Sequence, residues 1–258
     1  VFGTLLREGL QASHVDTSHV MFSDRPTTLA FVRLVNGNAS YMFYDENTAG
    51  RSLDKSSLPA IPANISAMYF GGISLIGLPA ADFYSALAKR EASARVIMMD
   101  PNIRPLFVTE PEIYRERLNQ MIACCDILKV SDDDLHWIVS GNATLKEKAL
   151  AIRALGPKVV IVTKGSEGSV AYLSDDKSVE AAAHKVSVVD TVGAGDTFNA
   201  GVLAKLSQLG LLTKEAIGSL DADDMLAALR FGSEVASITV SRPGANPPVL
   251  AELSQGLS

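Results

Sequence analysis

Between a short β-rich run at Val186–Val189 and a helical pattern beginning at Phe198 lies Gly193-Ala194-Gly195-Asp196. A glycine-rich turn that opens a helix presents unpaired backbone N–H groups at the positive end of the helix dipole, where phosphate oxygens bind. Glycine also lets a ligand approach the backbone closely. Taken alone, the four residues read equally as such a cradle or as a turn in which Asp196 caps the helix. A carboxylate beside a phosphate repels it unless it has a second task. As a general base, Asp196 would take the proton of an attacking hydroxyl while the N–H groups of Gly193, Ala194 and Gly195 stabilise the charge on the group in transit, which is what phosphoryl transfer requires. Other phosphate loops do not fit. No Gly-x-x-x-x-Gly-Lys-Ser/Thr occurs, Phe198 stands where a dinucleotide fingerprint needs its third glycine, and protein-kinase signatures are absent.

The elements that must position these residues alternate. Apolar runs at Ile65–Phe70, Arg95–Met99, Ile127–Val130 and Lys158–Val162 read as strands, and Pro79–Glu91, Pro111–Cys124 and a segment capped by Ser131 read as helices between them. Continuous apolar strands separated by helices predict a mainly parallel sheet covered on both faces, with ligands at the carboxyl ends of the strands. That rule selects Gly71-Gly72, Asp100–Arg104, Lys129–Ser131 and Thr163–Gly168. Upstream, Phe2, Leu5, Leu6 and Leu10 lie at helical spacing. Thr28–Val35 and Ser40–Tyr44 then read as a hairpin joined by Asn36-Gly37-Asn38, a flap apart from the main sheet.

The chain has 258 residues, 47% of them hydrophobic and 20% charged, which is ordinary globular composition and enough for a large core. A net charge of −6 argues against bulk electrostatic binding of nucleic acid or anionic membranes. No apolar run approaches the roughly 20 residues of a membrane span, and the first ten residues lack the layout of a signal peptide, so a cytoplasmic protein is expected. Cys124 and Cys125 are adjacent and read as buried thiols, and the four histidines show no metal-ligand spacing.

Asp190-Thr-Val-Gly-Ala-Gly-Asp196-Thr-Phe198 resembles the carboxy-terminal signature of the ribokinase-like, phosphofructokinase-B type carbohydrate kinases, Asp-Thr-x-Gly-Ala-Gly-Asp-x-Phe. Asp100–Pro105, Asp126–Lys129, Val162–Gly168 and Arg242–Pro247 follow that family's order, so the resemblance spans essentially the whole chain. It implies a ribokinase-like three-layer α/β sandwich with a mainly parallel central sheet, one domain over 1–258 with a β-hairpin lid at 25–45. It also implies Asp196 as catalytic base with Gly193, Ala194 and Gly195 as anion hole, and nucleotide contacts at Lys129, Ser131, Thr163, Gly165, Gly168, Ser233 and Asn246. Arg104 and Asn102 would meet the sugar, Arg104 through its paired donors, although a surface arginine is the plainer reading. Tyr41 and Phe43 of the lid would face the sugar, and the lid would pair two subunits into a homodimer. ATP and Mg2+ are implied, with K+ beside Asp190, which would otherwise simply cap its loop.

Two departures stand out. The family shows Asn-x-x-Glu after the strand ending at Lys129, and here the aligned residues are Ser131 and Asp134. The shorter Asp134 would reach Mg2+ through water, while Asp132–Asp134 reads equally as a solvated helix start. The family also begins with a strand, a Gly-rich segment and a sugar-binding acidic residue, none of which precedes Val1, so the N-terminal strand or strands are expected to be missing from this chain. The implied activity is transfer of the ATP γ-phosphoryl group to a sugar hydroxyl, most like the bacterial fructokinases. Alternatives on the same fold are 2-keto-3-deoxygluconate kinase, ribokinase and nucleoside kinase, and outside it a non-catalytic sugar or nucleotide sensor.

Overall fold

The computed structural model describes residues 1–35, 38–174 and 177–253, with the side chains of 32–41 outside that description. The chain divides into two compact units, residues 1–59 with 74–87, and residues 60–73 with 88–258.

The larger unit is built on six strands: β3 (Ala67–Gly71), β4 (Val96–Asp100), β5 (Ile127–Ser131), β6 (Val159–Thr163), β7 (Ser169–Tyr172) and β8 (Ser178–Ala181), hydrogen-bonded in that order. The first four are parallel and the last two turn back antiparallel, so the sheet is mixed with a parallel core. Val96–Asp100 is buried at every position, as a strand covered on both faces must be.

Side chains alternate across the pleat. Val96, Met98, Ile127, Val159 and Ile161 face a cluster that includes Phe198, Val202 and Leu206 of α6 (Ala194–Gln208), Ile217 of α7 (Lys214–Gly218), and Met225, Ala228 and Leu229 of α8 (Ala222–Val240). The alternate set, Ile97, Met99, Leu128, Val130, Val160 and Val162, is equally buried. The opposite side carries α4 (Asp132–Ile138) and α5 (Leu145–Arg153), which pack on β5 and β6, and α3 (Pro111–Cys124) precedes them. These are the three layers of an α/β sandwich.

Helices α6 and α8 pack against each other at short range. At their crossing, a Cβ on Gly201 would lie 2.7 Å from Gly232 Cα, and one on Gly232 would lie 2.8 Å from Phe198 O. Only glycine permits backbones this close. Elsewhere a buried carboxylate pins the amino ends of the strands: Asp126 takes Lys214 Nζ on both oxygens, at 2.6 and 2.7 Å, and the Ile97 N–H at 2.8 Å.

The smaller unit holds α1 (Phe2–Ala12) and the antiparallel hairpin β1 (Leu29–Val35) and β2 (Asn38–Tyr44), paired from Leu29↔Tyr44 to Val35↔Asn38. The expected turn residues Asn36 and Gly37 lie outside the described residues, as does the Tyr41 side chain. Within this unit Phe31, Met42, Phe43 and Tyr44 line a cavity of about 750 Å3. Phe31 and Tyr44 meet edge to face at 5.6 Å. Helix α2 (Ala80–Glu91) runs from one unit into the other.

Two expectations need correction. Val186–Val189 forms no strand: the Val189 and Asp190 N–H groups donate to Val240 O at the end of α8 rather than to a neighbouring strand. Helix α6 begins at Ala194, four residues before the expected Phe198, and so takes Gly195 and Asp196 into its first turn. No described helix is long and apolar enough to cross a membrane.

Candidate active site

Gly193 is the N-cap of α6 and adopts φ +81°, ψ −1°, a left-handed conformation that glycine reaches without strain. The approach to it is held by Asp190, whose two oxygens accept the Val192 N–H at 3.0 Å and the Gly244 N–H at 2.9 Å. These N–H groups hold the Asp190 carboxyl below its ordinary value. Asp190 thus ties the glycine turn to the Arg242–Pro247 segment. Thr197 closes the turn from the other side, its hydroxyl donating to Gly193 O at 3.0 Å. The Ala194 N–H already donates to Thr191 O at 3.3 Å.

Asp196, in the first turn of α6, is solvent-exposed at its edge yet has enough protein around its carboxyl to be desolvated. Desolvation first, and then the charge of Asp100, raise its pKa, while Lys129 and Arg104 act to lower it. The carboxyl thus sits among charges of both signs.

Those charges come from the last residue of β4, the middle of β5 and the loop after β4. Asp100 Oδ2 accepts Lys129 Nζ at 2.9 Å and Asn199 Nδ2 at 2.9 Å, and Asn199 Nδ2 also reaches Tyr69 Oη at 3.1 Å. After β4 the chain turns through Asn102, whose φ is +39°. Asp100 Oδ1 accepts the Asn102 N–H at 3.1 Å, and Asp134 Oδ1 accepts the Ile103 N–H at 3.1 Å. Arg104 Nη1 donates to the Asn102 and Ile103 carbonyls at 3.3 and 3.1 Å, which folds the guanidinium back on its own loop.

Ser131 caps α4, its hydroxyl accepting the Asp134 N–H at 3.0 Å. Of the acidic triplet, Asp133 is exposed and Asp134 turns inward. Burial raises the Asp134 carboxyl, with Asp100 adding to it and the Ser131, Ile103 and Lys129 contacts opposing. Among the described residues no cluster of three or more His, Cys, Asp or Glu side chains could hold a metal ion. The donors here therefore fit only a metal carried largely by water and ligand oxygens, as Mg2+ on phosphates is.

Beside the glycine turn opens a cavity of about 490 Å3 whose walls include Thr163, Gly165, Gly168 and Ser233, with Ala194 and Gly195 at the α6 end. Its size and the helix N-terminus in its wall suit a nucleotide. The structure thus brings four of the seven expected nucleotide contacts to one cavity. Ser131 closes β5, and Lys129, in the middle of that strand, brings its ammonium against Gly195. Asn246 is exposed in the turn after Gly244 and is not among the lining residues.

The sequence reading placed Asp100 in a strand-end segment without giving it a role of its own, and it missed Asn199 and Tyr69. It also missed Ala183, His184 and Val186, and Ala236 and Val240 of α8, which line the cavity as well.

Residues 1–252 match the pfkB family carbohydrate kinases. A fructokinase from Rhizobium leguminosarum bv. trifolii is 47% identical over 237 residues, which are 91% of this chain and 70% of that protein. Among solved structures, an aminoimidazole riboside kinase from Salmonella enterica, complexed with aminoimidazole riboside and an ATP analogue, superposes with a TM-score of 0.80 at 25% identity, over 94% of this chain and 77% of its own. A double mutant of a fructokinase from Vibrio cholerae, bound to fructose, ADP and potassium ion, superposes with a TM-score of 0.80 at 21% identity, over 94% and 76% of the two chains. With the match running across both units and through the glycine turn, the chain belongs to the pfkB family of carbohydrate kinases, phosphotransferases that act on a sugar hydroxyl.

Proposed function

We propose that the chain transfers the γ-phosphoryl group of ATP to a hydroxyl of fructose. The observation that carries this reading is the placement of Asp196 in the first turn of α6, next to a turn whose Gly195 lines a nucleotide-sized cavity. A base and an anion cradle thereby sit one residue apart. The identity to the Rhizobium fructokinase favours fructose as acceptor.

As the sugar oxygen bonds to the γ-phosphorus, Asp196 takes the hydroxyl proton, the bond to the bridging oxygen breaks, and ADP leaves. The Gly193 and Gly195 N–H groups stabilise the charge on the transferred group, and the Ala194 N–H adds to them once it leaves Thr191 O. Thr163, Gly165, Gly168 and Ser233 hold the nucleotide, Lys129, Ser131 and Asn246 flank it, and Arg104 and Asn102 meet the sugar. Mg2+, when bound, neutralises charge on the phosphates, and Asp134 would hold it through water. Asp190 is the residue for K+, the ion that the Vibrio cholerae fructokinase contains. The β1–β2 hairpin acts as the lid over the sugar and the contact of a homodimer, with Tyr41 and Phe43 toward the substrate, in a cytoplasmic enzyme.

A coupled ADP-release assay with Mg2+ and K+ across fructose, ribose, 2-keto-3-deoxygluconate and adenosine tests the assignment. Turnover is expected with fructose above the others. A higher kcat/KM for any other acceptor overturns the substrate, and no turnover with any acceptor overturns the enzyme.

A further inference from the structure

The ion pair between Asp100 and Lys129 is almost wholly removed from solvent, with side chains 2% and 7% exposed. One carboxylate gathers three parts of the site: the Lys129 ammonium of β5 and the Asn199 amide of α6 on one oxygen, and the Asn102 N–H of the following loop on the other. The ammonium is placed closely. A side chain on Gly195 would begin 3.2 Å from Lys129 Nζ and 3.8 Å from Asp100 Oδ2. Lys129 therefore lies directly against the first turn of α6, where a side chain at position 195 would push the ammonium aside by a few tenths of an ångström.

Stability gives little reason for such a pair, because desolvating two charges offsets most of their attraction, and apolar replacements are often neutral or stabilising. Catalysis gives a reason. A fixed positive charge in a poorly solvated place, aimed at where negative charge develops, costs no reorganisation during the reaction. We infer that Asp100 is a positioning residue of the phosphoryl-transfer site, which fixes the Lys129 ammonium against Gly195 so that a positive charge underlies the turn that receives the phosphoryl group. The inference rests on the reading of Gly193–Asp196 as that site. It also gives the glycine at 195 a second task besides exposing its backbone, since without a side chain there the ammonium keeps its place unshifted.

The same pair acts on the base. Apart from desolvation, the charges that reach Asp196 are Asp100, which raises its pKa, and Lys129 and Arg104, which lower it, with the Tyr69 hydroxyl of β3 joined to the network through Asn199. The two members of the pair thus pull in opposite directions.

The experiment compares Asp100→Asn, Lys129→Met, the double variant and Asp196→Asn by thermal melting, steady-state kinetics with ATP and fructose, and the pH dependence of kcat. Each single change is expected to lower kcat by about 10²-fold, the scale for losing one preorganised group, with the KM for fructose within about threefold. The acid limb of kcat is expected to move to lower pH in Asp100→Asn and to higher pH in Lys129→Met. A pair too far from the base to act on it would produce neither movement, and a pair kept only for folding would leave kcat at its pH optimum unchanged. Because a single change leaves one buried charge unpaired and can prevent folding, the double variant decides in that case: it should melt like the wild type and still show the loss in kcat. Wild-type kcat in the double variant, or folded single variants with unmoved acid limbs, overturns the inference. Asp196→Asn separates the two levels. If it is inactive while the double variant is fully active, only the role of Asp100 fails. If it keeps wild-type turnover, the transfer-site reading fails as well.

Discussion

Gly201 of α6 and Gly232 of α8 meet backbone against backbone, so that a methyl group on Gly201 would sit 2.7 Å from Gly232 Cα and 3.2 Å from Gly232 N. Neither atom belongs to a side chain that could swing away. The contact fixes the depth at which α6 lies, and α6 carries Asp196 and Asn199 at its amino end. Gly201→Ala is therefore expected to force the helices apart at a cost of about 1–3 kcal/mol, the usual range for overpacking. The check is a chemical-denaturation midpoint together with kcat. A lower midpoint with kcat reduced in the folded protein is expected, because displacement of a base by a fraction of an ångström already slows transfer. A midpoint equal to the wild type would show that the helix pair tolerates the methyl group.

Asp196 is expected to show opposite effects on activity and stability. Its folded-state pKa is raised by desolvation and by Asp100, so the neutral form is favoured more in the folded protein than in the unfolded chain. For such a carboxyl, the stabilising contribution is present below the folded pKa and is lost as pH rises through it. At neutral pH the charged group is a burden on the fold, and Asp196→Asn should lower kcat by about 10²–10⁴ while the melting temperature stays level or rises. A variant that melts well below the wild type would mean that Asp196 also holds the turn together.

The pH profile carries a related expectation. A general base works only when deprotonated, so kcat should fall on the acid side with an apparent pKa above the ordinary carboxylate value of about 3.9. The sign follows from the upward shift of Asp196. Asp190, held below its ordinary value by the Val192 and Gly244 N–H groups, stays ionised throughout that range and should leave no limb of its own. An acid limb at or below the ordinary carboxylate value would argue that another group accepts the proton.

The larger unit was readable because its strands are short, continuous and apolar: Ile127–Ser131 and Val159–Thr163 fall within a residue of the expected bounds. Helix α3 was readable from Pro111 onward for a local reason, proline at its first position. Val186–Val189 misled because β-branched residues report a surface that fits a sheet, and here the available acceptor was the end of α8. The early start of α6 was hidden by Gly193-Ala194-Gly195, since glycine argues against helix until its place at the cap is known. In the site, Gly193–Asp196 could be read because the four residues are consecutive. The network around Asp100 could not, because Lys129 and Asn199 are 29 and 99 residues away and only the sheet brings them together.

The cavity beside the turn offers a final prediction that separates the two substrates. Ala236 of α8 lines it, as do Ala183 and Val186, and a small side chain at 236 leaves room in it. Ala236→Phe would place a ring in that space while leaving Asp196, Asp100 and Lys129 untouched. Steric exclusion of a well-bound flat group is expected to raise the KM for ATP by about tenfold or more, a loss of about 1.4 kcal/mol of binding. The KM for fructose at saturating ATP should change little, because the acceptor is expected at the strand ends near Asn102 and Arg104. Parallel titrations of each substrate against a fixed excess of the other make the comparison. An unchanged KM for ATP would put the nucleotide elsewhere than in this cavity, and a selective rise in the KM for fructose would exchange the places of the two substrates.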